Sequence, residues 1–312
     1  IKMIFNHDLI DLISYNLTMF TIIIACKNIS NVVLKKNKKI HLVDEIICME
    51  GNDPSEQRNK AARQANSDWL LFLDDDCELS KNILAKYKEF INNNRVNVVG
   101  GPALIRSENF NSYFFSYIFK SWFAFQSSRA RYSSLGCPRL STERELILCN
   151  MVINKDFFLK NNGFKPGFYP NEENEFLSRV DKNDVWYHPE AIVTRTIGKS
   201  YIKVIKKIYY YAFSRGKHVL VNFAPKKIIY LLPFLFVLLL IYGLIFPTDI
   251  APVIIIYLTL DFLFSFSLAR ASASIGCFFL AFLTFPLIHI AYGIAIFIGI
   301  VIYLSRKYHV IK

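Results

Sequence analysis

Three runs of large apolar residues stand close together early in the chain: Phe20-Thr21-Ile22-Ile23-Ile24-Ala25-Cys26, Val43-Asp44-Glu45-Ile46-Ile47-Cys48-Met49 and Trp69-Leu70-Leu71-Phe72-Leu73. The third is continuous and too short for a helix, which predicts a strand buried on both faces, and the β-branched first run predicts another. Between the second and third, Asp53-Pro54-Ser55-Glu56 opens a helix that runs to about Asn66. Asp53 is its N-cap, Pro54 sits where a missing N–H costs nothing, and Glu56 reaches back as in a capping box. The order β-α-β-α-β up to residue 76 predicts a parallel, doubly wound sheet with a ligand crevice at the carboxyl ends of its strands.

Further on, the pattern predicts a helix from about Ser80 to Asn92, strands at Val96–Gly101 and Leu146–Ile153, and a short helix at Asp156–Asn161 that ends at Gly163. A helix follows Asn171, and Val185–Arg195 is expected as one edge strand. Ser127–Glu145 is polar, carries Arg129, Arg131, Arg139 and Arg144, and reads as a mobile loop over the crevice. Phe110–Phe125 is too aromatic for an exposed helix and predicts an amphipathic segment at a membrane interface. Ile1–Asn16 is weakly amphipathic and uninformative. From Ile228 the pattern changes: 228–246, 250–269 and 276–304 are each long enough for the roughly 20 apolar residues that cross a bilayer. The expected division is a soluble head over 1–224 and transmembrane helices over 225–312.

Charge adds an orientation. The net charge of +12 is concentrated between Ala191 and Lys227, a stretch without Asp or Glu that includes Arg195, Lys199, Lys203, Lys206, Lys207, Arg215 and Lys217 and leads through a helix over 199–221 to Lys226 and Lys227. Beside membrane spans such a cluster binds anionic lipid at about 1 kcal/mol per charge and marks the cytoplasmic side. The head is therefore expected in the cytoplasm, on a multi-pass protein of the inner membrane. No nucleic-acid recognition motif accompanies the basic run. The six cysteines show no metal-ligand or CxxC spacing and read as reduced core residues. A third span crossed from a cytoplasmic head would leave Arg306, Lys307 and Lys312 outside, so re-entry or a strong bend near Pro286 is the alternative for 276–304. Asp261 is expected to face protein or water, and His289 to be a hydrogen-bonded packing residue.

The candidate chemistry is acidic. Asp74-Asp75-Asp76 would stand together at the carboxyl end of the third strand, where adjacent carboxylates repel unless a cation or donor network compensates them. A hard divalent ion, Mg²⁺ or Mn²⁺, is one compensator; an acidic turn with Asp76 or Ser80 capping the next helix is the plain alternative. Asn171-Glu172-Glu173-Asn174-Glu175 gathers a second set of acids at a helix N-terminus, which the macrodipole alone would favour.

Together these clusters resemble the family-2 glycosyltransferases of GT-A fold. Asp74-Asp75-Asp76 looks like the family's DxD motif, which implies metal bound at Asp76 and ribose or metal-shell contact at Asp74. Asn171-Glu172-Glu173, with Glu175 and Arg179, is similar to the Gly-Glu-Asp-x-Glu-Leu-x-x-Arg segment. That alignment puts Glu173 at the general base, with Glu172 as the neighbouring candidate. Glu50, Arg58 and Arg215 are the further candidates for donor binding, Arg215 lying where the family has an Arg-containing motif. Pro286–Gly293 resembles a His-x-x-Tyr-Gly signature of exopolysaccharide-type members. There are three departures: Met49-Glu50-Gly51 replaces Asp-Asp-Gly, Arg195 stands where a His is common, and QxxRW is missing. The resemblance implies a metal-dependent, inverting hexosyltransferase using a UDP- or GDP-sugar and extending a lipid-linked saccharide. A polyprenyl-phosphate glycosyl synthase is the rival enzyme, and a catalytically inactive membrane scaffold the rival of another class. Transport has little support in three spans with one internal Asp.

Overall fold

The computed structural model describes residues 19–32, 42–198, 200–221 and 225–310; the readings of Ile1–Asn16 and Lys199 fall outside the described residues. The chain divides into two compact units, Ile1–Arg106 with Ser127–Thr196, and Ser107–Gln126 with Ile197–Lys312. The aromatic segment and the basic helix thus pack in the second unit rather than with the head.

The first unit is built on a seven-stranded sheet. Its first three strands, β1 (Phe20–Cys26), β2 (Val43–Glu50) and β3 (Trp69–Asp74), are parallel in the order β2-β1-β3, with α1 (Pro54–Gln64) between the second and third in sequence. α1 starts where expected, because the Asp53 carboxylate accepts from the backbone N–H groups of Ser55 and Glu56 at 2.9 and 3.2 Å. Along β1 and β3 the buried residues divide by face. Ile22, Ile24, Leu71 and Leu73 join one core cluster, and Ile23, Leu70 and Phe72 the other. Each strand is covered on both sides, which is why its sequence is continuously apolar.

The remaining elements are β4 (Cys77–Leu79), α2 (Ile83–Asn93), β5 (Val98–Gly100), β6 (Ala103–Ile105), β7 (Arg139–Leu140), β8 (Met151–Asn154), α5 (Lys155–Lys160), α6 (Glu172–Arg179), β9 (Val185–Tyr187) and β10 (Val193–Arg195); α3 and α4 belong to the second unit. They correct the expected topology in three places. The large sheet is mixed: β8 is antiparallel to both β3 and β5, so the full order is β2-β1-β3-β8-β5-β9-β7. The single strand expected over 185–195 is two, because His188-Pro189 breaks it. β9 stays in the large sheet, and β10 becomes the centre of a three-stranded sheet ordered β4-β10-β6. The arginine-rich segment expected as a mobile loop is tied down. Arg139 pairs with Glu145 at 2.8 Å and covers the Tyr187 ring at 4.4 Å, while Arg131 donates to the carbonyls of Glu143 and Arg144.

Gly101 follows β5, and a Cβ there would overlap the carbonyl oxygen of Ala191. Gly101→Ala forces the segment before β10 to move, at a cost of about 1–3 kcal/mol. The expected outcome is a lower thermal midpoint.

In the second unit, α3 (Phe110–Ile118) and α4 (Trp122–Phe125) pack with α7 (Tyr201–Val221), α8 (Leu232–Gly243), α9 (Pro247–Ser272) and α10 (Ile275–Val310). Among the described residues two helices are long and apolar enough to cross a membrane, Pro247–Ser272 and Ile275–Ser305. The first of the three expected spans is a shorter apolar helix, Ile228–Gly243, in which a 3-10 stretch (Pro225–Leu231) runs into α8. The last span runs as one helix through Pro286. The aromatic segment is partly core, with Phe114, Phe115 and Ile118 buried, and Phe110 and Trp122 exposed. Asp261 faces protein, where it is fully buried and accepts from the Ser265 hydroxyl at 3.2 Å. The imidazole of His289 lies 3.0 Å from the Phe123 carbonyl through Nε2 and 2.8 Å from the Tyr257 hydroxyl through Nδ1. A carbonyl only accepts, so Nε2 carries the proton and Nδ1 accepts from Tyr257. Gly293, four residues on, gives room for the Pro233 carbonyl, so the His-x-x-Tyr-Gly signature has a packing basis.

Candidate active site

The parallel register brings the ends of β1, β2 and β3 level: Cys26 pairs with Glu50 on one side, and Ala25 with Asp74 on the other. Glu50 is exposed at this edge, and its strand is separated from that of Asp74 by the width of β1, about 10 Å for two strand spacings. Asp75 and Asp76 form the turn into β4. Burial pushes the Asp75 carboxyl upward, and repulsion from Asp76 and Asp74 adds to it.

Arg58 lies in the second turn of α1, buried, and its guanidinium joins the two acidic clusters. Nη2 reaches Asp74 Oδ1 at 3.0 Å and Nη1 reaches Glu172 Oε1 at 2.5 Å. Burial works against its charge, but Glu172, then Asp74 and Glu173, hold it protonated. On the other side, Glu172 and Glu173 open α6 and are both buried. Glu173 Oε1 accepts from Asn174 Nδ2 at 2.9 Å and faces Arg131 Nη1 at 3.4 Å. Glu172 Oε2 is enclosed without a hydrogen-bond partner. Burial raises the Glu172 carboxyl to about 7, against the opposing pull of Arg58.

That shift has a testable sign. A carboxyl whose folded value exceeds its unfolded one, near 4.5, favours folding while protonated and loses that advantage as pH rises from about 4.5 through 7. Wild-type stability is expected to fall between pH 5 and 8 by more than that of Glu172→Gln, which has nothing to titrate there. Thermal midpoints of both proteins across that range check it.

Arg195 supplies the third link. It ends β10, directly opposite Cys77 in the antiparallel ladder with β4. Its Nη2 lies 3.1 Å from Asp74 Oδ2 and 3.3 Å from Asp76 Oδ1, and its Nη1 donates to Cys149 Sγ at 3.3 Å. The Thr196 hydroxyl donates to Asp76 Oδ2 at 3.4 Å. Burial opposes the charge, yet Cys149, Asp74 and Asp76 keep it firmly protonated.

Whether Asp74 and Asp76 fit a Mg²⁺ or Mn²⁺ ion can be judged from this donor set. Two partly exposed carboxylates are what Mg²⁺ commonly takes from a protein. Here, however, each of their four oxygens already faces a guanidinium or a hydroxyl, supplied by Arg58, Arg195 and Thr196. Among the described residues no group of three or more His, Cys, Asp or Glu is placed to hold a metal ion. The arrangement does not fit an open dication site.

Of the residues singled out by sequence, Asp74, Asp76, Arg58 and Glu172 are thus joined through ion pairs shared with Arg195, while Glu173 pairs separately with Arg131. Arg215 belongs to the second unit, on α7, buried with its guanidinium 4.8 Å from the Tyr230 ring centroid. Arg131 and the pairing of Arg195 escaped sequence reasoning. Their only signal was a positive charge on a polar stretch and a departure from a pattern.

A family model described as glycosyl transferase family 2 matches residues 31–158, a stretch that includes α1, β3 and all three aspartates. Over residues 31–158 the chain is thus similar to the family-2 glycosyltransferases. The sheet of this part is mixed, and helices follow it toward the C-terminus. Among solved structures the chain is similar to S. aureus TarS 1-349 in complex with UDP-GlcNAc, at 12% identity over 63% of this chain and 66% of that one, with a TM-score of 0.41. The same TarS fragment in complex with UDP gives 13% identity over 66% and 67%, with a TM-score of 0.42. TarS itself gives 12% identity over 62% of this chain and 39% of that chain, with a TM-score of 0.39. The chain therefore spans slightly under two thirds of the first of these structures. No curated protein matches the chain.

Proposed function

We propose that this chain is a family-2 glycosyltransferase that moves a sugar from a nucleoside-diphosphate donor, a UDP- or GDP-sugar, to a hydroxyl of a lipid-linked saccharide, with inversion at the anomeric carbon. The observation that carries the reading is Arg58, which touches both acidic clusters although they lie about a hundred residues apart in sequence. A donor-end site and a carboxylate able to take a proton stand at one sheet edge. In this reading Glu50 and Asp74, which flank the end of β1, serve the nucleoside, Arg58 and Arg195 the diphosphate, and Glu173, in the first turn of α6, the acceptor hydroxyl. Asp53 has a different task, as the cap that fixes α1 and therefore Arg58.

The reaction breaks the bond between the anomeric carbon and the diphosphate oxygen, forms one to the acceptor oxygen, and passes the acceptor proton to the base. The guanidinium charges counter what accumulates on the leaving diphosphate. An acceptor held in a lipid agrees with α9 and α10, which are apolar and long enough to cross a membrane. The proposal places the catalytic domain on the cytoplasmic side of the inner membrane, beside anionic lipid, with the acceptor a lipid-linked saccharide or polyprenyl phosphate.

The test is a panel of UDP-, GDP- and dTDP-sugars offered to the detergent-solubilised chain, wild type against Asp76→Asn. One nucleotide class is expected to bind, and the variant to bind it on the order of tenfold more weakly, since a charged partner of Arg195 is lost. A folded protein that binds no donor of any class would favour the scaffold reading. Product formed from bare polyprenyl phosphate, and none from a lipid-linked saccharide, would favour the phosphate-acceptor synthase.

A further inference from the structure

The position between Asp74 and Asp76 is filled by a side chain of the protein's own. Arg195 is set there by backbone pairing. β10 is the central strand of its sheet, held by β4 on one side, where Arg195 meets Cys77, and by β6 on the other, where it meets Ile105. Asp76 immediately precedes Cys77, so the ladder itself fixes the distance between the guanidinium and the acidic turn. Cys149, in the 3-10 turn before β8, holds Nη1, and Asp74 is further anchored by Arg58. A side chain that merely filled a vacant acidic pocket would not require three separate segments to position it.

We propose that Arg195 is the cation at which the donor's diphosphate is held, in place of a divalent metal between Asp74 and Asp76. The proposal rests on the nucleotide-sugar reading above. The chemistry suits the task, because a guanidinium is permanently charged and its five N–H groups outnumber the contacts to Asp74, Asp76 and Cys149. Asp74 and Asp76 then act as positioning residues that orient the guanidinium rather than as metal ligands.

The experiment is nucleotide binding to the full chain in detergent, using the nucleoside diphosphate alone as probe, in EDTA and in Mn²⁺, with Mn²⁺ occupancy followed separately by electron paramagnetic resonance. Wild type is expected to bind the nucleotide equally in both conditions and to leave the Mn²⁺ signal that of the free ion. Arg195→Ala is expected to lose binding on the order of 10- to 100-fold in EDTA. Arg195→His, with a metal-ligating side chain in that place, is expected to lose binding in EDTA and regain it with Mn²⁺, a switch that a structural role for Arg195 would not produce. Arg195→Lys should retain part of the binding without metal, and thermal melts identify any variant that has unfolded. Nucleotide binding by wild type only in the presence of Mn²⁺ would overturn the proposal and leave the glycosyltransferase reading standing. Absence of binding under both conditions would overturn both.

Discussion

Glu173→Gln stops sugar transfer while the donor continues to bind: this is the expected result with the largest effect on turnover. The substitution keeps the shape and the contact with Asn174, but an amide does not accept the acceptor's proton. Loss of a positioned general base costs about 10²- to 10⁴-fold. Donor affinity is expected to stay near wild type, because Arg58 and Arg195, the residues proposed for the diphosphate, lie on other elements. Single-turnover transfer and nucleotide binding, measured on one preparation, separate the two effects. Glu172→Gln provides the control. Glu172 Oε1 is engaged by Arg58 and its Oε2 is enclosed, so its change should reduce transfer less. Normal turnover in Glu173→Gln with a dead Glu172→Gln would reassign the base to Glu172.

How far the sequence could be read depended on which physics was involved. β1, β3 and α1 were legible because each depends on local pattern: apolar runs covered on both faces, and an N-cap followed by proline. The two acidic clusters were legible for the same reason, and the apolar composition of α9 and α10 marks helices long enough to span. Strand direction was not. β8 is four residues long, and nothing in Met151–Asn154 says whether it runs with β3 or against it. The break at His188-Pro189 was visible as a proline, but not its consequence, a strand that changes sheets. Least legible were the ion pairs. Arg195 is 119 residues from Asp76 and Arg58 is 114 from Glu172, so each pairing is a product of topology alone. For that reason the guanidinium that the fold sets beside these acids is not visible in the sequence, where a metal is the simplest partner to name.

Arg58→Met tests how far that guanidinium supports the domain itself, and its effect on stability should exceed that of any other single site substitution considered above. Methionine replaces much of the apolar stem, so packing changes little; what disappears is the charge shared by Asp74 and Glu172. Removing one partner of a buried ion pair typically costs about 3–5 kcal/mol. Here the cost should depend on pH. Asp74 is partly exposed and water can screen it, whereas Glu172 is buried. Without Arg58, its carboxyl is pushed still higher than the value of about 7 it has in the wild type. At pH 5.5 Glu172 is protonated in both proteins, and the variant should lie only modestly below wild type. At pH 8 the wild type holds an ion pair, while the variant must either bury an unpaired carboxylate or take up a proton against the solvent. The gap in thermal midpoint should therefore widen as pH rises through 7. In Arg58→Met/Glu172→Gln that widening should largely vanish, since the group that drives it is gone. A gap that stays constant from pH 5.5 to 8 would mean that Arg58 acts through packing and Asp74 rather than through Glu172, and the two acidic clusters would then be neighbours without being energetically coupled.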